Sequence, residues 1–182
     1  MAANCFFRPD EVPTMKVIQG SRNPSVYLPY RTDLKRLPGI DYSSADEFFF
    51  VSFGIRKKIP DEKLFMTVLE ASILKALHEF GFTLFVYTCM PDHGHMLLSP
   101  SGRGESLSLI IKRVKDAATK RLKYDFIINL DWRRGFHDHV LRPWERMDDV
   151  FASIVFYIAE NPVRKNLVAQ ANLWKFAGRP RY

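Results

Sequence analysis

The order of apolar segments between residues 47 and 161 limits the folds open to this chain more than any other feature. Runs rich in aromatic and β-branched residues alternate with runs that have the apolar spacing of helices. They predict strand, helix, strand, strand, helix, strand and helix over residues 48–55, 61–80, 82–90, 93–99, 106–124, 136–142 and 148–160. This is the ferredoxin-like, split βαβ order, an antiparallel sheet with both crossover helices on one face. The sequence therefore predicts an α+β fold with βαββαβ order, a free opposite sheet face and an additional C-terminal helix.

The rest of the chain is predicted to flank one domain. Residues 1–46 contain five prolines, spaced so that neither a long helix nor a central strand fits, and we expect an irregular N-terminal arm. The folded domain is predicted over 47–170, followed by a C-terminal tail over 171–182. With 182 residues, of which 47% are hydrophobic, the chain can bury a core without disulfide or metal staples.

No segment is predicted to enter a membrane or a secretory pathway. The longest apolar run, Phe82 to Met90, is about half the length that crosses a bilayer, and no signal-peptide pattern precedes it. Cys5 and Cys89 are too few for a disulfide framework or a thiolate zinc site. We therefore expect no membrane partner and a cytoplasmic location.

Positive charge is concentrated near the C-terminus. The whole chain carries 27 Lys and Arg against 20 Asp and Glu, a net charge of +7, and residues 101–182 account for 16 and 9 of these. Lys and Arg gain affinity for a polyanion through counterion release, so this asymmetry fits a nucleic-acid partner. A solvated basic surface explains the charge count equally well.

The first candidate site is the segment Met-Pro-Asp-His-Gly-His-Met-Leu-Leu at 90–98. On a strand, His93 and His95 project from the same face, close enough for both imidazoles to hold one divalent ion. Gly94 between them weakens the strand and permits close backbone approach. Two histidines are half of a metal site, so solvent-facing or hydrogen-bonded histidines remain an equal alternative.

The second candidate site lies on the last helix. Tyr157 and Asn161 are four residues apart and share one edge of the apolar stripe, so a phenol and an amide face the same place. A tyrosine at the rim of the core, followed by an asparagine that ends the helix before Pro162, explains the same pattern.

A third polar segment, 132–142, contains His137, Asp138 and His139. The two histidines share a strand face, and the aspartate points to the other face. A second metal pair, phosphate contacts and a plain edge strand with outward polar residues are all compatible with it.

Together these segments resemble the REP-associated branch of the single-tyrosine HUH transposases. The similarity in order and spacing involves residues 90–98, then Trp-Arg-Arg-Gly-Phe-His-Asp-His-Val-Leu-Arg at 132–142, then Tyr-Ile-Ala-Glu-Asn-Pro-Val-Arg-Lys-Asn-Leu-Val at 157–168. Residues 36–43 also resemble the segment before the first strand in many members. The resemblance implies a ferredoxin-like nuclease domain that binds single-stranded or hairpin DNA and cuts it with a tyrosine nucleophile.

The resemblance also implies roles for individual residues. His93 and His95 match the two metal-binding histidines, Tyr157 matches the nucleophile, and Asn161 matches the polar residue that completes the metal shell. Two nitrogens and an oxygen suit Mg²⁺ or Mn²⁺ with waters in the remaining positions. The family normally has a bulky hydrophobic residue where this chain has Gly94, and we expect the glycine to leave a gap in the core and to reduce rigidity.

The predicted function is that of a metal-dependent transposase, an endonuclease and strand transferase for single-stranded or hairpin DNA. Basic residues of the second helix and of the C-terminal region are predicted to contact DNA: Lys112, Arg113, Lys115, Lys120, Arg121, Arg133, Arg134, Arg142, Arg164 and Lys165. Two alternatives remain open, a domesticated non-catalytic DNA-binding protein and a metallohydrolase in which metal-bound water attacks. A monomer and a homodimer with shared sites are equally compatible with the sequence.

Overall fold

The computed structural model describes residues 38–178, which form five strands and four α-helices. In chain order these are β1 Phe49–Gly54, α1 Glu62–Glu79, β2 Thr83–Cys89, β3 His93–Ser99, α2 Leu107–Phe126, β4 His137–Val140, α3 Asp148–Ala159, α4 Asn161–Arg164 and β5 Ala177–Gly178. Short 3₁₀ turns occur at Pro143–Arg146 and Ala171–Leu173. The sheet is antiparallel with strand order β4-β1-β3-β2-β5. The ferredoxin-like prediction is therefore confirmed, with β5 as an additional strand.

Local sequence signals explain where the two crossover helices begin and end. The Asp61 carboxylate accepts a hydrogen bond from the Leu64 amide at 2.8 Å, which caps the start of α1. Gly81, at φ +71°, turns the chain after α1. Ser106 caps α2 in the same way by accepting from the Leu109 amide at 3.3 Å.

One face of the sheet and the two crossover helices enclose the larger core. Phe49, Val51 and Phe53 of β1 point to this face and are almost fully buried. Tyr42, just before β1, stacks on Phe49 with ring centroids 5.2 Å apart. The part of the predicted arm that the structure describes, residues 38–46, therefore packs on the domain, and residues 1–37 lie outside the described range.

The opposite sheet face is covered in part by α3, so the prediction of a free face is wrong. Val86 and Leu97 pack there against Ile154 and Ile158 of α3 in a second apolar cluster. An apolar stripe on a helix has to be buried somewhere, and this sheet face is the surface that takes it. The candidate site consequently lies at the border of α3 rather than on an open sheet.

The predicted C-terminal tail contributes to the sheet edge. β5 pairs with β2 through Tyr87 and Thr88. The Phe176 carbonyl accepts from the Cys89 amide at 2.8 Å, and Trp174 Nε1 donates to the Cys89 carbonyl at 3.0 Å. Residues 171–178 thus protect an edge that would otherwise expose unpaired backbone groups. None of the helices in residues 38–178 is long and apolar enough to cross a membrane.

Candidate active site

Both predicted metal histidines lie on β3 and face the side of the sheet that α3 covers. His95 is paired with Ser52 on β1 and with Thr88 on β2, and its ring stacks on Phe50 with centroids 5.6 Å apart. The Nε2 atoms of His93 and His95 are 3.0 Å apart. The alternation of β3 therefore brings two imidazole nitrogens to one point.

The electrostatic surroundings keep His95 in the form that binds metals. Burial, together with the charges of His93, Arg164 and Lys165, lowers the pKa of His95 to about 3, so its ring is neutral near pH 7. Within residues 38–178, His95 Nδ1 is the one buried side-chain nitrogen or oxygen without a hydrogen-bond partner. Two metal ligands at right angles, each about 2.1 Å from the ion, are about 3.0 Å apart. The two Nε2 atoms therefore fit a shared divalent cation.

Asp92 orients the first histidine. Its Oδ1 lies 2.5 Å from His93 Nδ1, which places the Nδ1 proton between them and leaves Nε2 as the basic atom. Burial opposes the charged carboxylate, but the hydrogen bond to His93 and the charges of Lys58 and Arg133 lower the pKa of Asp92 below its ordinary value. The sequence prediction did not include Asp92, although a carboxylate directly before the first histidine is a signal that could have identified it.

Tyr157 is on α3, at the rim of the second apolar cluster. Arg164 Nη2 donates a hydrogen bond to the Tyr157 hydroxyl at 3.0 Å, and its guanidinium carbon lies 3.9 Å from the centre of the phenol ring. The phenol oxygen thus points towards a basic, solvent-accessible region rather than into the core.

Asn161 is buried at the junction of α3 and α4. Its Nδ2 donates to the Tyr157 and Ile158 carbonyls, each at 3.2 Å. These contacts fix the amide nitrogen against the helix, so the amide oxygen is the atom that remains to bind a cation. Within residues 38–178, no three His, Cys, Asp or Glu side chains are arranged so that they could hold a metal ion. Asparagine is not one of these four residue types, so this finding does not bear on an Asn161 oxygen as the third ligand.

A shared carbonyl joins β2, the neighbour of the histidine strand, to the tyrosine helix within one chain. Thr88 is the β2 neighbour of His95, and its Oγ1 donates to the Ile158 carbonyl at 2.9 Å. The same carbonyl accepts from Asn161 Nδ2. The structure therefore brings His95, Asn161 and the turn after Tyr157 to the same side of β2.

The third segment contains side-chain pairs on both faces of β4. The Asp138 carboxylate accepts from the Tyr42 hydroxyl at 3.1 Å. His139 Nε2 lies 2.8 Å from Oε1 of the buried Glu145, whose other oxygen accepts from the Arg142 amide. His139 is therefore held in a pair that connects β4 to the next turn. His137 and His95 both pair with Ser52, which places them on the same sheet face, two strands apart.

The predicted DNA-binding residues fall on two sides of the molecule. Those of α2 lie on the crossover-helix layer, opposite the histidines; there Lys112 pairs with Asp116 at 2.6 Å and Arg121 lies 3.8 Å from Asp125. Lys115 points inward instead. Its Nζ donates to the Arg133 and Gly135 carbonyls at 3.1 and 2.5 Å and is partly buried.

A smaller basic group lies on the histidine side. The positive charges of Arg164 and Lys165 contribute to the lowered pKa of His95, and the positive charge of Arg133 contributes to the lowered pKa of Asp92. Arg133 is fixed there because its Nε donates to the Ile55 carbonyl at 3.1 Å. Of the remaining predicted contacts, Arg134 is exposed beside Arg133, and Arg142 is exposed at the 3₁₀ turn before α3.

Comparisons with known proteins agree with this fold. A family model described as transposase, IS200-like, matches residues 49–140. A solved structure of a REP-associated tyrosine transposase bound to a REP hairpin is similar, with 21% identity, a TM-score of 0.61 and coverage of 76% of this chain and 79% of that one. A candidate transposase from Deinococcus radiodurans has 17% identity and a TM-score of 0.40, over 68% of this chain and 95% of its own. A comparison with curated proteins found no match. Because the family model spans half of the chain, from β1 through β4, the chain belongs to the IS200-like transposase family.

Proposed function

We propose that this transposase cuts and rejoins single-stranded or hairpin DNA, with Tyr157 as nucleophile and His93, His95 and Asn161 as ligands of Mg²⁺ or Mn²⁺. The observation that carries the proposal is the Ile158 carbonyl, which Thr88 and Asn161 share. This shared carbonyl supports the proposal because it links Asn161 and the turn after Tyr157 to Thr88, the β2 neighbour of His95.

Each residue of the proposed site has its own role. Burial keeps the His95 imidazole neutral and the Asp92 carboxylate orients the His93 ring, so that both Nε2 atoms can donate to a cation. A bound Mg²⁺ or Mn²⁺ supplies polarisation of the scissile phosphate and stabilisation of the leaving 3′ oxygen. Tyr157 provides the oxygen that attacks, and a phosphotyrosine conserves the bond energy for later rejoining. The mixed nitrogen and oxygen ligands favour Mn²⁺ over Mg²⁺, because Mn²⁺ tolerates imidazole better.

The proposed path of the DNA starts at the histidine side. Of the predicted DNA-binding residues, Arg133, Arg164 and Lys165 are those whose charges act on Asp92 or His95, and they suit phosphates next to the cleaved bond. The basic residues of α2 lie behind the sheet, so they suit a more distant part of a bound hairpin. The solved relative is bound to a REP hairpin, which supports hairpin DNA as the ligand class. We also propose a cytoplasmic location, on the cysteine argument from the sequence.

We infer that the proposed site is formed within one chain. His95, Asn161 and Tyr157 are connected through Thr88 and the α3–α4 junction of the same molecule. We therefore propose that a monomer is sufficient for cleavage. A cleavage rate per molecule that is independent of protein concentration is expected, and a rate per molecule that rises in proportion to concentration would indicate sites shared in a homodimer.

The test of the proposed function is a covalent protein–DNA adduct. Parent protein with Mn²⁺ and hairpin-bearing single-stranded DNA is expected to form an adduct that survives denaturation. Tyr157→Phe should abolish it, and Tyr124→Phe, a control at an exposed tyrosine, should retain it. His93→Ala should lose cleavage in parallel with metal binding.

Other outcomes would support the alternatives. Hydrolysis that persists in Tyr157→Phe but is lost in His93→Ala would indicate a metallohydrolase with a water nucleophile. Salt-sensitive DNA binding without cleavage, across metals and substrates, would indicate a non-catalytic DNA-binding protein.

A further inference from the structure

Arg164 makes two separate contacts with the tyrosine of the proposed site. One guanidinium nitrogen donates to the Tyr157 hydroxyl at 3.0 Å, and the guanidinium carbon Cζ lies over the phenol ring, 3.9 Å from its centre. Arginine is suited to this pair of contacts because its planar fork stacks on aromatic rings while its N–H groups donate at the edge. Together the contacts fix both the ring and the direction of the hydroxyl.

The break between α3 and α4 places Arg164 there. α3 ends at Ala159, and a new helical turn begins at Asn161 with Pro162 in its first positions. The Arg164 amide donates to the Glu160 carbonyl at 3.0 Å, which holds this turn against the end of α3. The side chain seven residues after Tyr157 therefore folds back onto it.

The neighbouring Lys165 gives a matched comparison. Both residues are exposed, both carry one positive charge, and both charges act on His95. Of the two, only Arg164 has a contact to Tyr157 among the hydrogen bonds and cation–π pairs of the described residues. A role in holding the tyrosine is thus separable from a role in attracting phosphates.

We propose that Arg164 is the positioning residue of the nucleophile, and that its guanidinium then binds the phosphodiester formed on Tyr157. This inference rests on the proposed function. In the first step a bond forms between phosphorus and the Tyr157 oxygen, and the bond between phosphorus and the leaving 3′ oxygen breaks. The phenol releases its proton to water, and the leaving oxygen takes one up, so no further reactant is needed.

Arg164 can bind both the free tyrosine and the phosphotyrosine, because its guanidinium has more N–H donors than the one that the phenol oxygen uses. Before attack, one N–H group is used by the Tyr157 hydroxyl. After attack, that oxygen is esterified, and two non-bridging phosphate oxygens lie within reach of a fork that binds such oxygens in pairs. Arg164 would thereby hold the covalent intermediate in place for rejoining.

The test compares Arg164→Ala with Lys165→Ala and Arg164→Lys in single-turnover cleavage at saturating protein. Both alanine variants should weaken DNA binding by a similar factor, since each removes one phosphate-directed charge. The cleavage rate of bound DNA should fall about 10- to 100-fold in Arg164→Ala and by a clearly smaller factor in Lys165→Ala, which removes a charge but no contact to Tyr157. Arg164→Lys should recover binding but only part of the rate, because lysine keeps the charge and lacks the fork.

A second measurement needs neither DNA nor metal. In protein with ¹³C-labelled tyrosine rings, the Tyr157 signals, assigned with Tyr157→Phe, should shift in Arg164→Ala and stay in place in Lys165→Ala. Equal cleavage rates for the two alanine variants, or unshifted Tyr157 signals, would overturn the Arg164 inference while adduct formation by the parent upholds the proposed function. Absence of any adduct in the parent would overturn the proposed function, and with it the catalytic meaning of the contact.

Discussion

Replacing Gly94 with alanine is expected to stabilise the protein. A Cβ atom at this position would lie 3.4 Å from Leu69 Cδ2, 3.6 Å from Phe53 Cζ and 3.8 Å from Ile73 Cδ1. These are ordinary van der Waals distances, so the methyl group enters existing space without pushing its neighbours. The expected gap is therefore only as large as a methyl group, because Leu69, Phe53 and Ile73 occupy the rest.

The size of the effect follows from two contributions. A buried methyl group adds about 0.8 kcal/mol, and the loss of glycine's backbone freedom in the unfolded chain adds about 0.4–1 kcal/mol. Gly94→Ala should thus raise the free energy of unfolding by about 1–2 kcal/mol, measured by urea denaturation. Gly94→Leu should instead lower it by about 1–3 kcal/mol, because its outer atoms overlap the same three side chains.

A matched control uses a glycine with no packing neighbours. Gly104 has φ +88°, and no atom lies within 4 Å of the place that a methyl group would take there, so Gly104→Ala gains no contact and strains the backbone. It should lower the free energy of unfolding. A Gly94→Ala protein less stable than the parent, or a Gly94→Leu protein as stable as Gly94→Ala, would contradict the fit of a single methyl group at this position.

Three further predictions concern other parts of the chain. Asp92→Asn should weaken Mn²⁺ affinity about 10- to 100-fold by calorimetry, because the carboxylate that orients His93 is lost; unchanged affinity would contradict this role. Thr88→Val should lower the free energy of unfolding by about 1 kcal/mol in denaturant titrations, since the hydrogen bond to Ile158 disappears; no loss would show that this bond contributes nothing. Burial lowers the pKa of Lys115 to about 8, whereas its ordinary value, expected in the unfolded chain, is 10.5. Between these two pH values the folded protein has lost the Lys115 proton while the unfolded chain still binds it, so the free energy of unfolding should rise with pH. Denaturation at several pH values should show a shallower rise in Lys115→Gln, and an equal slope would refute it.

The element order was predictable because it depends on local periodicity. The alternation around His93 and the spacing from Met66 to Leu77 are visible in the sequence and match β3 and α1. The additional strand was not predictable. Ala177–Gly178 has no strand pattern of its own, and it pairs with β2 because Trp174 and Phe176 dock nearby.

The face of the fold on which each basic residue lies could not be predicted from the sequence, for a different reason. A count of Lys and Arg does not distinguish the two layers of a fold, and the residues of α2 are placed behind the sheet by the apolar side of that helix. Lys115 is the clearest example, because its ammonium group donates hydrogen bonds to two backbone carbonyls of another loop. The roles of His93, His95, Tyr157 and Asn161 stay predictions until the tests above are made.

Because α3 covers the sheet, the strand that carries His93 and His95 and the helix that carries Tyr157 form one folding unit. The part of the chain that the family model matches stops at residue 140, before α3 begins. Without α3, Val86 and Leu97 would face water on the side of β2 and β3 where His95 lies. A chain cut between β4 and α3 is thus expected to lose the folded histidine pair as well as the tyrosine. A gene truncated at this point is therefore expected to encode an unstable chain. It is not expected to encode a folded protein that binds a cation and DNA without cutting the DNA.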